Sequence, residues 1–436
     1  MKAIFLIRIY QTVMLLLMAG FILPSYAARH LPPPSPAKPA PLDGKAVFAV
    51  VKDSVVQIRT LLKGSQAQNS TGSGFYVSDD GLLITNYHVV SSFALEPESY
   101  DLEYVASNEE HGTLTLLAID VLHDLALLQR KGSHLPYLRF HTGSVEKGDN
   151  LFSLGNPNDL GQSIVEGTNN GLRDHSFYDM IHFTGAINSG MSGGPVVTET
   201  GEVFGVNDAS MGESRGFLVP AHYAAQLLNR WRTNPIKVPL FRPEIARQLK
   251  LHSAALVARF TKKPLPVQMD AGYAIPDSPD PYIRCWAGKG NREKFLFTVR
   301  SYSCSGRSEV YVEDGIDLGS LFFSSRLFET QKLDPVRFSR VLERSYEMQY
   351  EANYDIPSEH FSKYACNDAI VQIKGNKVKA AICLRSYRKF PGLYDIKFKV
   401  VTLRKDQHAL VSNLSLFGFA YDDGMRMVEF YMGAFK

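Results

Sequence analysis

The chain is short of several things. Four cysteines and two tryptophans are spread over 436 residues, and the formal net charge is only +3. The cysteines are Cys285, Cys304, Cys366 and Cys383. None has a Cys-x-x-Cys partner, which argues against zinc, and no histidine spacing resembles a metal motif. The expectation is therefore no metal and no cofactor. So small a charge excludes a strong electrostatic pull towards nucleic acid or an anionic membrane. Beyond residue 27 no stretch is apolar enough to span a bilayer, so no membrane partner is expected once a leader is removed. The C-terminal half shows no internal repeat.

What is present reads first as an exported chain. Residues 1–27 have Lys2 and Arg8 at the start, an apolar run from Val13 to Leu23, and Ser25-Tyr26-Ala27 as a small-x-small cleavage site. The alternative is an uncleaved anchor. Residues 28–43 form a proline-rich linker, with Pro32-Pro33-Pro34, Pro36, Pro39 and Pro41. A periplasmic or secreted location follows, and outside the cytosol two disulfides are the default. Lys374-Gly375-Asn376-Lys377 reads as a hairpin turn. Four cysteines allow three pairings; counting back from the turn brings Cys366 nearly opposite Cys383 and favours that bridge, with Cys285 then left for Cys304.

The chemistry gathers around Asn188 to Val197, Asn-Ser-Gly-Met-Ser-Gly-Gly-Pro-Val-Val. Small residues around Ser192 let the backbone turn sharply, so the N–H groups of Gly190 and Ser192 can converge on one point. A serine nucleophile needs a base, and the base needs an orienting partner. His88 follows the apolar run Leu82-Leu83-Ile84, and Asp124 precedes Leu125-Ala126-Leu127-Leu128. A carboxylate among aliphatics needs a strong hydrogen-bond partner, and His88 would supply it. Asp120 is the rival acid. His123 is expected to be exposed, and His182 to be a structural histidine.

The order His, Asp, Ser along the chain is that of the chymotrypsin-like barrels. Gly72-Ser73-Gly74-Phe75, Thr85-Asn86-Tyr87-His88-Val89-Val90, Asp124-Leu125-Ala126-Leu127-Leu128, Leu154-Gly155-Asn156-Pro157 and Gly216-Phe217-Leu218-Val219-Pro220 resemble the trypsin-like proteases of the HtrA/Deg group. These motifs span roughly residues 44–231. Met191 departs from the polar residue usual before the serine, which argues against activation by an ion pair with a new N-terminus. No PDZ-type carboxylate-binding loop is recognised in the C-terminal half.

Short alternating strands with glycine turns run through the region of resemblance. The fold class expected is mostly β. A two-barrel chymotrypsin-like protease domain at 44–233 precedes a β-rich α+β C-terminal domain at 244–436. Asn169–His175 reads as a polar surface loop. Asp334-Pro335 is expected to cap a helix running to about Met348. Asp422-Asp423-Gly424 is expected to turn a last hairpin.

The function expected is that of an exported serine endopeptidase acting on polypeptide substrates through an acyl-enzyme. His88, Asp124 and Ser192 are catalytic, with Gly190 and Ser192 as the oxyanion donors. By analogy with the barrel proteases, Ala186, Ile187, Asn207, Asp208 and Ala209 line the primary pocket. No acid stands at the Ala186 floor position. The expected preference is therefore for small or medium aliphatic side chains, with Asp208 the residue that would alter it. The alternative is a catalytically silent, chaperone-like binding protein working through the C-terminal domain.

Overall fold

The computed structural model describes residues 42–157, 160–210, 216–235, 241–292, 296–306, 308–347, 360–373, 376–402 and 407–435. The expected export signal and all but the end of the proline-rich linker lie outside these residues. So do Lys374 and Gly375 of the expected hairpin turn.

The first helix, α1 (Gly44–Val51), begins at Asp43, whose Oδ1 accepts from the Ala46 amide at 2.8 Å. It buries Val47 and Val51. Seven strands follow: β1 (Val55–Leu62), β2 (Gln68–Tyr76), β3 (Leu82–Thr85), β4 (Tyr100–Val105), β5 (His111–Thr113), β6 (Thr115–Asp120) and β7 (Leu125–Gln129). They form one antiparallel sheet in the order β5-β4-β1-β2-β3-β7-β6. Between β2 and β3 the chain reverses at Gly81, where φ is +90° and a Cβ would overlap the Arg130 carbonyl. Helix α2 (Tyr87–Leu95) leaves the end of β3 and carries His88 in its first turn.

Strands β8 (Asn150–Gly155), β9 (Ser163–Leu172), β10 (Ile181–Phe183), β11 (Pro195–Val197), β12 (Val203–Ser210) and β13 (Gly216–Pro220) make a closed barrel in the order β10-β13-β12-β11-β8-β9. The polar run at Asn169 is not a loop: β9 extends through it to Leu172. Asn169 satisfies its own side chain on the backbone, donating to the Val145 and Glu146 carbonyls at 3.3 and 3.0 Å and accepting from the Gly171 amide at 2.9 Å. Its polarity therefore did not need solvent. Helix α3 (Ala221–Thr233) follows β13 and buries Ala224, Leu227 and Leu228.

Helix α4 (Phe241–Phe260) joins the two halves. Phe241, Ile245 and Leu249 from its first part share a core with Val89, Val90 and Leu128 of the first sheet region. Leu256, Val257 and Phe260 from its second part belong to the C-terminal core. Apolar burial of this kind is worth about 1.5–3 kcal/mol per large side chain.

The C-terminal half opens with a small hairpin, β14 (Val267–Asp270) and β15 (Tyr273–Pro276). Its main sheet uses β16 (Ile283–Arg292), β17 (Phe297–Gly306), β20 (Ser320–Glu329), β21 (Ala365–Ile373), β22 (Asn376–Ser386), β23 (Leu393–Thr402) and β24 (His408–Ala420), in the order β16-β17-β20-β24-β23-β22-β21. Between β17 and β20, β18 (Val310–Glu313) and β19 (Ile316–Leu318) form an arm outside that sheet. Helix α5 (Pro335–Glu347) starts at Asp334, which accepts from the Val336 and Arg337 amides, both at 3.0 Å. Cys285 faces Cys304 across β16 and β17, with Cα atoms 4.1 Å apart, and the two are disulfide-bonded. Cys366 and Cys383 are bonded in the same way across β21 and β22, at 4.0 Å.

The expected last hairpin is instead a helix, α6 (Tyr421–Gly433). Asp422 and Asp423 sit in its first turn, where the helix dipole favours negative charge. Asp423 accepts from Ser253 Oγ of α4 at 2.7 Å. Gly424 has no room for a side chain because Ile396 packs on it. Met427, Val428 and Tyr431 form the buried face.

Candidate active site

Asp124 closes a 3-10 turn, Val121–His123, in a left-handed conformation with φ +50°. Aspartate tolerates that region better than most residues. The turn is braced from α4: Gln248 Oε1 accepts from the Val121 amide at 2.8 Å, and its Nε2 donates to the Ile119 carbonyl at 2.9 Å. The Asp124 carbonyl accepts from Asn86 Nδ2 at 2.8 Å and from the Tyr87 amide at 3.1 Å. These bonds tie the aspartate turn to the start of α2. Asp124 Oδ1 then accepts from the His88 amide at 2.9 Å, and Oδ2 lies 2.6 Å from His88 Nδ1.

The electrostatics follow from this contact. Burial alone would push the His88 pKa down. The Asp124 carboxylate overrides it through charge and hydrogen bond, and Asp208 and Asp314 add to it, so the imidazole is held up at about 9. Asp120 does not reach His88. It is buried against Arg230 at 2.6 Å and His123 at 3.0 Å. Burial would raise its pKa, but these two partners hold the carboxyl below the usual range. His123 is not exposed: it stacks on Tyr223 with ring centroids 3.6 Å apart and meets Tyr178 edge-on. His182 lies on β10, tilted against Phe217 with centroids 6.0 Å apart.

The serine turn is built by small residues at close quarters. Gly190 and Gly193 have φ of +91° and +82°. A Cβ on Gly193 would overlap Thr85 Oγ1 and the Ser73 carbonyl. Ser73 on β2 fastens the turn from the first sheet: its amide donates to the Ser192 carbonyl and its hydroxyl to the Gly190 carbonyl, both at 2.7 Å. Met191 is fully buried in an apolar cluster with Ile187, Val196 and Leu218. Among the described residues, no acceptor engages the amides of Gly190 or Ser192. Ser192 Oγ donates to the Asp208 carbonyl at 3.0 Å, and no hydrogen bond joins it to His88 among the described residues.

Both His88 and Ser192 line a cleft of about 570 Å³, together with Asp124, Asp208, Tyr178, Met180 and Val219. One wall comes from the C-terminal half, through Ser308, Glu309, Val310 and Tyr311. The arm that carries Tyr311 is anchored in the same core as α2, where Val310, Val312, Ile316 and Leu318 bury beside Val89 and Val90. Tyr87 Oη donates to the Val312 carbonyl at 2.9 Å. Tyr311 and Gln248 had no signal in the sequence, since neither stands near a motif.

Of the expected pocket residues, Asp208 borders this cleft. Asn207 differs from the expected pocket wall. It is wholly buried, with Nδ2 donating to the Leu154 and Met191 carbonyls at 3.1 and 3.2 Å and Oδ1 accepting from Ser153 at 2.8 Å. A buried amide with three such bonds braces the serine turn and has nothing left for a substrate. Ile187 is likewise buried, in the Met191 cluster, while Ala186 is exposed. Ala209 pairs with Phe217 along β12 and β13. His88, Asp124 and Asp208 present donor atoms within 4.8 Å of one another.

Residues 72–206 match a trypsin-like peptidase domain. Serine protease HTRA3 of Homo sapiens is 32% identical over 206 residues, which are 44% of this chain and 45% of that protein. The probable periplasmic serine endoprotease DegP-like of Chlamydia pneumoniae is 33% identical over 153 residues, covering 34% of this chain and 30% of its own. Among solved structures, a serine endoprotease from Yersinia pestis is 26% identical, with a TM-score of 0.38 over 43% of this chain and 66% of its own. The chain spans less than half the length of these curated relatives. The segment that holds His88, Asp124 and Ser192 thus matches a trypsin-like peptidase domain and is similar over that stretch to the HtrA/DegP serine proteases.

Proposed function

We propose that the protein is an exported serine endopeptidase, periplasmic or secreted, that cleaves polypeptides through an acyl-enzyme. The observation that carries this reading is the 2.6 Å contact of His88 Nδ1 with Asp124, on the same cleft as Ser192. Asp124 fixes the imidazole tautomer, leaving Nε2 to take the serine proton. The Ser192 hydroxyl first leaves the Asp208 carbonyl by rotating about its Cα–Cβ bond; its oxygen then attacks the substrate carbonyl. The Gly190 and Ser192 amides receive the oxyanion, an effect of roughly 3–4 kcal/mol per donor. His88 returns its proton to the leaving amine, and water releases the acyl group by the same route.

The side chain before the scissile bond is small or medium and aliphatic in this reading. The absence of an acid at Ala186 supports it, and the Asp208 carboxyl lies within 4.8 Å of the Asp124 and His88 donor atoms, beside the reacting groups. A positional peptide library checks the preference, and a strong choice of Arg or Lys sinks it.

A second reading is a protease fold without proteolysis, acting as a binding protein. The hydrogen bond from Ser192 to the Asp208 carbonyl favours it. Fluorophosphonate labelling separates the two. The hydrolase reading expects labelling of the wild type and casein cleavage, with Ser192→Ala losing both and kcat falling by about 10⁶-fold. A folded wild type that never labels leaves the binding reading.

A further inference from the structure

Asp208 takes no part in the reaction steps above through its side chain, yet it stands among the reacting groups. A carboxylate oxygen of Asp208, one of Asp124 and a ring nitrogen of His88 all lie within 4.8 Å of one another. Its main-chain carbonyl holds the Ser192 hydroxyl at 3.0 Å. Two carboxyls this close, half-withdrawn from water, repel when both are charged; one shared proton turns the repulsion into a hydrogen bond. Asp124 is the member that keeps its charge, because it accepts from both the ring and the amide of His88. The proton therefore belongs to Asp208. Burial, followed by the charge of Asp124, pushes the Asp208 carboxyl well above its ordinary range, with His88 opposing.

We infer that Asp208 is a positioning residue of the active site: protonated, it donates to Asp124, and ionised, it sets a second negative charge beside His88 that holds the imidazole proton on. This deepens the hydrolase reading and rests on it for any kinetic consequence. Other charged and titratable groups face the same cleft. Asp314, in the turn between β18 and β19, also raises His88. Tyr311 stands edge-on to the imidazole, and Tyr178, Asp179 and Glu309 line the cleft. Among the described residues that line the cleft, His123 contacts Asp120 at 3.0 Å and Arg173 lies over the Phe217 ring at 4.5 Å.

The test follows the His88 imidazole by NMR through a pH titration, in the wild type and in the Ser192→Ala protein. Asp208→Asn removes the charge and leaves a donor for Asp124. The expected result is a fall of about one pH unit or more in the His88 midpoint, because a neighbour of opposite charge to the imidazolium is lost. Asp208→Ser, smaller and also a donor, is expected to give the same direction if the amide variant folds poorly. Asp314→Asn should move the midpoint less, since Asp314 has no contact with Asp124 to lose. An unchanged midpoint in both Asp208 variants overturns the inference. Failure of the wild type to label with fluorophosphonate would instead sink the hydrolase reading and leave these midpoints readable.

Discussion

Tyr311, from the arm of the C-terminal half, meets the His88 imidazole edge-on, with ring centroids 5.9 Å apart. Its phenol donates to Asp314 Oδ1 at 2.9 Å, which fixes the ring in the cleft. The histidine that the sequence ties to a protease motif is therefore walled by a residue from outside the matched segment. Edge-to-face ring pairs contribute about 0.5–1.5 kcal/mol beyond their buried area. Tyr311→Ala should loosen the imidazole and lower kcat/KM about 3- to 10-fold on peptides, as that loss of energy implies. Tyr311→Phe keeps the ring contact and should retain most of the activity. Steady-state kinetics on one peptide series checks both, and equal losses in the two variants would shift the weight to the hydroxyl.

The same arm makes the two halves hard to separate. Val310, Val312, Ile316 and Leu318 share a core with Tyr87, Val89 and Val90, and α4 adds Phe241, Ile245 and Leu249 to it. Cutting the chain after Pro239 would bare this face and remove Gln248 from the Asp124 turn. The truncated protein is expected to aggregate or to unfold without a cooperative transition, because losing several buried side chains at about 1.5–3 kcal/mol each exceeds ordinary stability margins. Expression of residues 28–239 with a denaturant titration decides it. A soluble fragment that unfolds cooperatively and labels with fluorophosphonate would show that the C-terminal half is dispensable.

Much of this was legible in the sequence, and the rest has physical reasons for being hidden. Alternation and glycine punctuation announced β1 to β3 and the Ser192 turn, because period-2 burial and left-handed turns leave direct marks on residue choice. The pairing of Cys366 with Cys383 followed from a hairpin register, which is local. The helix at Tyr421–Gly433 is hidden because Asp-Asp-Gly marks both a hairpin turn and a helix start, and Ser253 and Ile396, distant in sequence, favour the helix. His123 looked like an exposed neighbour of Asp124, since its stacking partner Tyr223 is a hundred residues away. The arm over His88 left no trace, because a wall needs shape and burial more than any motif.

Gly193 carries a sharper expectation. Its φ of +82° suits glycine, and a Cβ would overlap Thr85 Oγ1 and the Ser73 carbonyl, one of them main chain. Thr85 Oγ1 donates to that Ser73 carbonyl at 2.7 Å, and the Ser73 amide and hydroxyl hold the turn that aims Ser192. Gly193→Ala should cost roughly 1–3 kcal/mol of stability from backbone strain. It should also reduce fluorophosphonate labelling by more than the unfolded fraction accounts for. Denaturant unfolding and labelling rates on one preparation check this, and unchanged values in both would mean the turn can relax.

The raised His88 pKa fixes the direction of two pH profiles. The neutral imidazole is the base, so kcat/KM should climb as pH rises towards about 9, reporting the free protein's His88. Stability should run the other way. A group whose folded pKa lies above its unfolded value favours the fold while protonated. The His88 contribution is thus complete below 6.5 and lost as pH passes through about 9. Asp208, also raised, loses its contribution in the same direction, beginning from 3.8. Thermal midpoints should therefore fall with rising pH across the range in which activity increases. His88→Ala should flatten the alkaline part of that decline, because the proton that links folding to pH there is gone. A midpoint that rises between neutral pH and 9, or a decline unaffected by His88→Ala, would mean that the imidazole is not held protonated by the carboxyls around it.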